Sequence, residues 1–458
     1  MRFVTTTGSA SPVSFTTALF DGLAPDGGLY VPERIEPWTV DELARLPRRT
    51  LTEIGLRAMR PFTRGELDPA VLEAVVVEAL NFEIPLVEVE PGVHALELFH
   101  GPTLAFKDVG ARVMARVMAS LHLAEEPLTV LVATSGDTGS AVAHAFHRVP
   151  HTRVVILYPD GRISPTQEAQ LTMFNGERAN VRAYAVAGSF DDCHRLTREA
   201  FGDPGLRKVM RLTSANSVNV GRLLPQSIYY FHAVAQLAGR TQGSAPTSVG
   251  ADPRVGPDLL FSTPSGNFGN LTAGLMAKRA GLAIAQFVAA TNVNDVVPEY
   301  LATGRYTPRA SVHTMANAMD VGHPSNFERM SWLYHGDRDA MRHDVIGVSF
   351  TDDRVRDTIR RVFETRGYLL DPHSAIAYMG LKGVLESEGS GPNPMGSGFS
   401  RNGVFLATAH PAKFAEIVEP IIGRKVEKPE PLAQALGQPR HIIRIDAALD
   451  AVKTVLCV

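Results

Sequence analysis

Cysteine is nearly absent from this chain: Cys193 and Cys457 are the only two among 458 residues. Two thiols so far apart exclude a disulfide framework and fit a reducing compartment. No apolar run is long enough to span a membrane. Met1 to Ser14 is rich in Thr and Ser and lacks the apolar core of a signal peptide. A cytoplasmic location is therefore expected. Neither sign of charge prevails either, with 45 Lys and Arg against 48 Asp and Glu, a net of -3. Without a block of like charge or a basic stripe, neither nucleic acid nor a membrane surface is expected as a partner, and small molecules remain. A repeat of fixed period is missing too.

What is present is the composition of an ordinary globular protein, 45% apolar and 20% charged, in a length that calls for two or three domains. Ser14 to Pro32 reads as a short helix closed by Gly22, then a glycine turn and a brief strand, and Leu43 to Leu80 is helical in pattern with caps expected at Thr39, Thr50 and Thr63. Residues 1-95 are therefore read as a mostly helical N-terminal segment. From 96 to 240 strands and helices alternate: Leu128 to Ala133 and Val154 to Tyr158 are unbroken apolar strands, and Ser164-Pro165 opens a helix. The alternation resumes over 255-458, with a strand at Leu259 to Phe261 and another at Gly403 to Ala407. Such alternation builds open parallel sheets flanked by helices, an α/β architecture. Two stretches, Gly243 to Pro257 and Ser387 to Gly403, read as Gly/Pro/Ser-rich insertions or linkers.

The stretch Glu97 to Leu121 carries the first chemical signal. A Gly101-Pro102 turn leads to Lys107, after which Val109, Val113 and Val117 recur at helical spacing, with Asp108, Arg112 and Arg116 on the other face. A helix start bears partial positive charge, so a lysine there, once buried, has a lowered ammonium pKa and a larger share of free amine, as a Schiff-base lysine requires. The bland alternative is a surface lysine that precedes a helix.

Three loops complete the pattern. Ser265 to Asn270 follows a strand and opens a helix; Gly266 and Gly269 permit close approach of backbone N–H groups to a phosphate monoester, and Asn267 and Asn270 can donate from their side chains. The loop matches neither Gly-x-x-x-x-Gly-Lys-Ser/Thr nor Gly-x-Gly-x-x-Gly, and a tight structural turn is the alternative. Thr134-Ser135-Gly136-Asp137-Thr138 lies between strand and helix and suits a carboxylate or phosphate, or else is a capped helix start. Thr408 ends a late strand, where its hydroxyl can bond a pyridine nitrogen, or it caps the next helix. Arg222, near Asn216, Ser217 and Asn219, offers a guanidinium fork for a second phosphate, the alternative being a solvated arginine. Ligands of open α/β sheets collect beyond the carboxyl ends of strands, where all these loops fall. His144, His147 and His151 have ligand-like spacing, but no Cys, Asp or Glu set converges with them and no metal is expected.

Together these motifs resemble the threonine synthases in their longer bacterial and fungal form, within the fold-type II pyridoxal-phosphate enzymes. The likeness rests on Gly22 to Pro32, Phe99 to Thr103 with Ala105 to Asp108, Thr134 to Ser140, Ser265 to Asn270, Met319 to Gly322 with Pro324 to Arg329, Asp371 to His373, and Thr408 to Phe414. It implies two sheet domains with pyridoxal 5'-phosphate between them. In that likeness Lys107 holds the cofactor covalently, Gly266, Asn267, Phe268, Gly269 and Asn270 hold its phosphate, and Thr408 meets its ring nitrogen. Thr134, Ser135, Asp137 and Thr138 would take the substrate carboxylate, with Asn219 and Arg222 as further substrate contacts. The implied substrate is O-phospho-L-homoserine, converted with water to L-threonine and phosphate by γ-elimination and then addition of water at Cβ, the last step of threonine biosynthesis. Lys107 would take the Cα proton, and one domain would close on the substrate phosphate to keep water out until late. A monomer or a homodimer fits the sequence equally.

The chain departs from the family pattern in two places: Thr6-Thr7-Gly8 stands where the family has Thr-Arg-Gly, and His323 stands where a different polar residue is usual. A threonine dehydratase or a cysteine synthase is the nearest alternative and needs no second phosphate site. A non-catalytic phosphometabolite-binding protein is the alternative from another class.

Overall fold

The computed structural model describes residues 1-122, 126-134, 136-176, 179-242, 259-389 and 402-457. The insertion expected at Gly243 to Pro257, most of that at Ser387 to Gly403, and Ser135 lie outside the described residues. Thirteen strands are described: β1 (Phe3–Thr5), β2 (Tyr30–Pro32), β3 (Leu86–Glu90), β4 (Val93–Glu97), β5 (Leu128–Ala133), β6 (Thr152–Pro159), β7 (Val181–Val186), β8 (Arg211–Ser214), β9 (Leu260–Pro264), β10 (Gln286–Thr291), β11 (Val345–Ser349), β12 (Gly403–Ala407) and β13 (Ile443–Ile445).

Two sheets carry the molecule. Six strands run in the order β11-β10-β9-β12-β4-β3, all neighbours parallel except β3 and β4; five run in the order β13-β7-β6-β5-β8, all parallel. The apolar runs explain this arrangement, because parallel strands are covered by helices on both faces. In β12, Val404 and Leu406 join one hydrophobic cluster while Phe405 and Ala407 join another. In β5, Leu128, Val130 and Val132 likewise face away from Leu131 and Ala133.

The N-terminal segment is helical as expected. Ser14 caps the helix Phe15–Asp21, which ends at Gly22 with φ of 70°. Capping boxes at Thr39 and Thr50 start the next two helices. Thr63 differs: it ends the helix Leu51–Thr63 and bonds back to Met59 O, while Asp68 caps the helix that follows. The chain also does not divide cleanly at 96 or 255. β3 and β4 pair into the sheet of the late strands, and β13 with the helix Leu449–Cys457 returns to the five-stranded sheet. No helix among the described residues is long and apolar enough to cross a membrane.

Candidate active site

The carboxyl ends of β4, β9 and β12 lie side by side in one sheet, and each carries a chemically marked loop. The connection from β4 to Lys107 is stitched to the end of β12. The Leu98 N–H donates to Ala407 O (2.9 Å), the Phe106 N–H to Thr408 O (2.9 Å) and the His410 N–H to Leu104 O (3.1 Å), with a bridge between Ala105 and Ala409. Lys107 is the first residue of the helix Lys107–Leu121, preceded by Phe106, which offers no side-chain cap. Among the described residues its Nζ has no hydrogen bond or ion pair; it lies 5.8 Å from the centre of the Phe106 ring. Burial lowers its ammonium pKa most; Asp137 opposes the shift, Arg222 and Lys413 add to it, and the result is about 8. Its neighbour Asp108 is buried and accepts from Thr103 N–H (2.9 Å) and Thr103 Oγ1 (2.7 Å).

Pairing between β12 and β9 runs only as far as Phe405 with Ser262. Beyond it the two strands part, with Thr408 on one lip and Ser265 to Phe268 on the other. Thr408 is buried, and its hydroxyl has no partner among the described residues; His410, not Thr408, caps the following turn by accepting from the Ala412 N–H (3.1 Å). On the opposite lip Phe268 takes a left-handed conformation (φ 59°, ψ 15°) directly before the helix Gly269–Arg279. Gly266 permits this path, since a Cβ there would lie 2.7 Å from Met319 Cα. Among the described residues, the N–H groups of Gly266, Asn267, Phe268 and Gly269 bind no acceptor. Four such groups at the positive end of an eleven-residue helix form a fitting cradle for a phosphate monoester.

The asparagines serve the cradle differently from the sequence expectation. Asn267 Nδ2 donates to Ser217 Oγ, and its Oδ1 accepts from Ser325 N–H (2.6 Å) and Ser325 Oγ (2.9 Å). Asn270 Nδ2 donates to Pro264 O (2.9 Å), and its Oδ1 accepts from the Leu271 N–H. Both side chains are thus committed to holding the loop's shape, which leaves the backbone amides to face an anion.

On the second sheet, β5 ends at Ala133 and the helix Asp137–Phe146 follows Gly136. Thr134 Oγ1 accepts from the N–H groups of Gly136 (3.0 Å) and Gly139 (2.8 Å), so this hydroxyl shapes its own loop. Gly136 has φ of 137°, and a Cβ there would lie 2.4 Å from Gln167 Cδ. Thr138 is partly exposed beside it. Asp137 is not open to solvent: Lys413 Nζ lies 2.8 Å from its Oδ1, and Gln167 Nε2 donates to the same oxygen (3.2 Å). Burial works to raise this carboxyl, but Lys413 and Lys107 outweigh it and hold the pKa well below the usual range.

Arg222 is buried rather than solvated. Its Nη1 donates to Ala215 O (2.6 Å), and its Nε has no partner among the described residues. It backs the lysine helix closely, since a Cβ on Gly110 would lie 2.6 Å from Arg222 O. Burial lowers its pKa to about 10. Asn219 caps the turn before it, with Nδ2 on Leu19 O and Ser214 O (2.8 Å each) and Oδ1 on the Gly221 N–H (2.8 Å). Those bonds, made by a fully buried side chain, tie Asn219 to the shape of the Arg222 turn. Of the two family departures, Thr7 bonds Asp26, and the His323 ring lies 6.2 Å from that of Tyr306.

Sequence reasoning assigned nothing to Lys413 and the pair Asp371–His373. Lys413 is fully buried, and the signals for it were its place in the Thr408 to Phe414 motif and its setting among Pro411, Ala412 and Phe414. His373 Nδ1 lies 2.6 Å from Asp371 Oδ2, and its Nε2 accepts from the Ala318 N–H (3.2 Å), next to the backbone that Gly266 packs on. His144 and His147 flank the Phe174 ring, and among the described residues no group of three metal-ligating side chains occurs.

Comparison with known proteins gives three family matches that tile the chain. Residues 2–80 match the threonine synthase N terminus, 83–397 the pyridoxal-phosphate dependent enzymes, and 398–456 the threonine synthase C-terminal family. Threonine synthase of Haemophilus influenzae is 44% identical over 421 residues, covering 92% of this chain and 91% of that protein. The crystal structure of threonine synthase from Escherichia coli superposes with a TM-score of 0.87 at 38% identity, covering 100% of this chain and 99% of that one. A pyridoxal-phosphate-bound threonine synthase from Brucella melitensis gives 0.86 at 35% identity, over 100% and 98%.

Proposed function

The chain belongs to the threonine synthases within the pyridoxal-phosphate dependent enzymes, and from that premise we propose how its own residues divide the work. The reaction is the conversion of O-phospho-L-homoserine and water to L-threonine and phosphate. Bound pyridoxal phosphate supplies an electron sink conjugated with the substrate's carbons.

Lys107 is the residue that anchors this cofactor, and the observation carrying the proposal is its juxtaposition with the cradle. A lysine with no partner among the described residues stands at a helix start and is tied through Phe106 to Thr408, one strand away from the open amides of Gly266 to Gly269. Those amides bind the cofactor phosphate, with Asn267 and Asn270 holding them in place. The Thr408 hydroxyl bonds the ring nitrogen without the full proton transfer that a carboxylate would favour. With the substrate amine in its place on the cofactor, Lys107 Nζ would carry the proton from the substrate Cα to the conjugated system and, an amine again, would take one from Cβ. An amine with a pKa near 8 suits both holding and releasing that proton near neutral pH. The amides at the start of the helix Asp137–Phe146, with Thr138, receive the substrate carboxylate, and Arg222 adds positive charge behind the site.

The two free cysteines, one buried and one exposed, support a reducing cytoplasmic setting. The purified protein is expected to be yellow, and borohydride is expected to fix the colour's carrier on Lys107, as read by peptide mass spectrometry. In Lys107→Ala that adduct disappears and turnover falls by at least about 10³-fold. Release of inorganic phosphate from O-phospho-L-homoserine separates this reading from a dehydratase, whose substrate carries none. An adduct on any other lysine overturns it.

A further inference from the structure

Lys413 lies at the seam of the molecule. It follows β12 of the six-stranded sheet, yet its Nζ reaches Asp137 Oδ1 (2.8 Å), beyond the end of β5 in the five-stranded sheet. A second bond from Nζ goes to Thr103 O (2.8 Å), in the turn that delivers Lys107. The side chain is fully buried and Asp137 is 4% exposed, so neither charge is screened by water. A buried lysine with two partners, one on each side of the site, is costly to desolvate unless its geometry is kept. We propose that Lys413 is a positioning residue for the reaction: it pins the Asp137 carboxylate beside the Lys107 amine across the gap between the sheets. The inference rests on Lys107 being the cofactor lysine.

The charges around this group set the direction of its effect. Facing Asp137 are Lys413, Lys107 on its helix, His373 on the helix Pro372–Gly389, and Gln167 on the helix Pro165–Thr172. Facing Lys107 are Asp137, Arg222 and Lys413; facing Lys413 are also Asp108 and His410. Asp137 favours a protonated Lys107 and Lys413 disfavours it. Taking away Lys413 removes a repulsion and frees the carboxylate for Lys107. Taking away the carboxylate leaves Lys107 with two cations and no anion. The two losses therefore act in opposite directions on one titration. A pair that served only to hold the fold would act differently, because loosening from either side admits water to Lys107 and moves its ammonium upward in both cases.

The test is the pH profile of Lys107 labelling in the full chain freed of cofactor, read by reductive methylation and peptide mass spectrometry. Lys413→Gln is expected to raise the midpoint by about one pH unit, and Asp137→Asn to lower it by about as much. Lys413→Arg keeps the charge and should hold the wild-type value within a few tenths. The double variant Lys413→Gln/Asp137→Asn leaves neither half of the pair behind as a lone buried charge and stays informative where a single variant does not fold; its midpoint should return close to wild type. An upward move in both singles, or a double variant that rises by a unit or more, overturns the inference. Borohydride trapping on wild-type Lys107 is run alongside. If trapping fails, the cofactor assignment has failed; if trapping succeeds and the midpoints do not part, only the role of Lys413 has.

Discussion

Lys107 illustrates how a residue's chemistry is set by what surrounds it and by what it does not touch. A surface lysine is a free amine in only about four molecules per ten thousand at pH 7, whereas one with a pKa near 8 is free in about one in ten. In the cofactor-free chain, burial has pushed the folded-state pKa below the unfolded one, so the folded protein releases this proton first. Its contribution to stability therefore rises as pH climbs from about 8 towards 10.5, opposite to the trend for a lysine gaining a carboxylate partner. Denaturant titrations of wild type and Lys107→Met over that range are expected to lie furthest apart near pH 8, with the methionine variant ahead, and to converge as pH rises and wild type sheds the cost of its buried ammonium. Parallel curves would contradict the assignment. Asn267 gives a second prediction at this scale. Asn267→Ala leaves the Ser325 N–H without its acceptor and cuts the tie to Ser217, a loss of about 1–3 kcal/mol in the ordering of the cradle. Cofactor affinity should fall roughly 10- to 100-fold, as measured by fluorescence titration, with little change in the unfolding temperature of the apoprotein. The sequence marked Asn267 and Asn270 as residues that matter, but not how. An asparagine offers two donors and an acceptor, and which of them meets backbone rather than ligand depends on Ser217 and Ser325, partners far along the chain.

At the scale of elements, the starts of helices are where local sequence spoke most plainly. Thr39, Thr50 and Ser164 cap as their patterns indicate, and the buried runs of β5, β6, β9 and β12 form strands. Each of those features is decided within a few residues. The turn at Gly136 was harder to read, since its necessity comes from Gln167, whose side chain fills the place a Cβ would need. Gly136→Ala meets two obstacles at once, a backbone φ of 137° that side chains avoid and that contact at 2.4 Å. Relief requires Gln167 to withdraw, which removes its bond to Asp137 and shifts the start of the helix Asp137–Phe146. The expected result is a rise of about tenfold or more in KM for O-phospho-L-homoserine with the cofactor still bound, because the cradle belongs to the other sheet. Loss of cofactor with unchanged KM would show that the two loops do not work separately.

Across the whole molecule, the site is assembled from two sheets that each recruit distant chain, which no local pattern announces. β3 and β4 close the edge of the sheet built by late strands, and β13 with the helix Leu449–Cys457 completes the sheet built by early ones. A strand's apolar run declares that it will be buried, not which strand it will lie beside. The tail's contribution can be weighed. Val452 and Leu456 are fully buried against Cys193, Leu196 and Ala200, worth about 3–6 kcal/mol together at roughly 1.5–3 kcal/mol each. Arg153 bonds Leu456 O and Val455 O (2.6 Å each), and Asn175 bonds His441 O (2.7 Å). Removing residues 441 to 457 therefore uncovers an apolar face and leaves β7 as an unpaired edge. Cys193 is a built-in reporter of this change: in the intact chain it is buried and its thiol is pushed up to about 12, mainly by burial, so it should resist maleimide. In the truncated chain we expect it to react readily, and hydrogen exchange to quicken along β6 and β7. Amide protection around Gly269 to Arg279 should persist, since that helix packs on the other sheet. An unreactive Cys193 after truncation would mean that the five-stranded sheet holds its own face closed, and that the tail merely lies upon it.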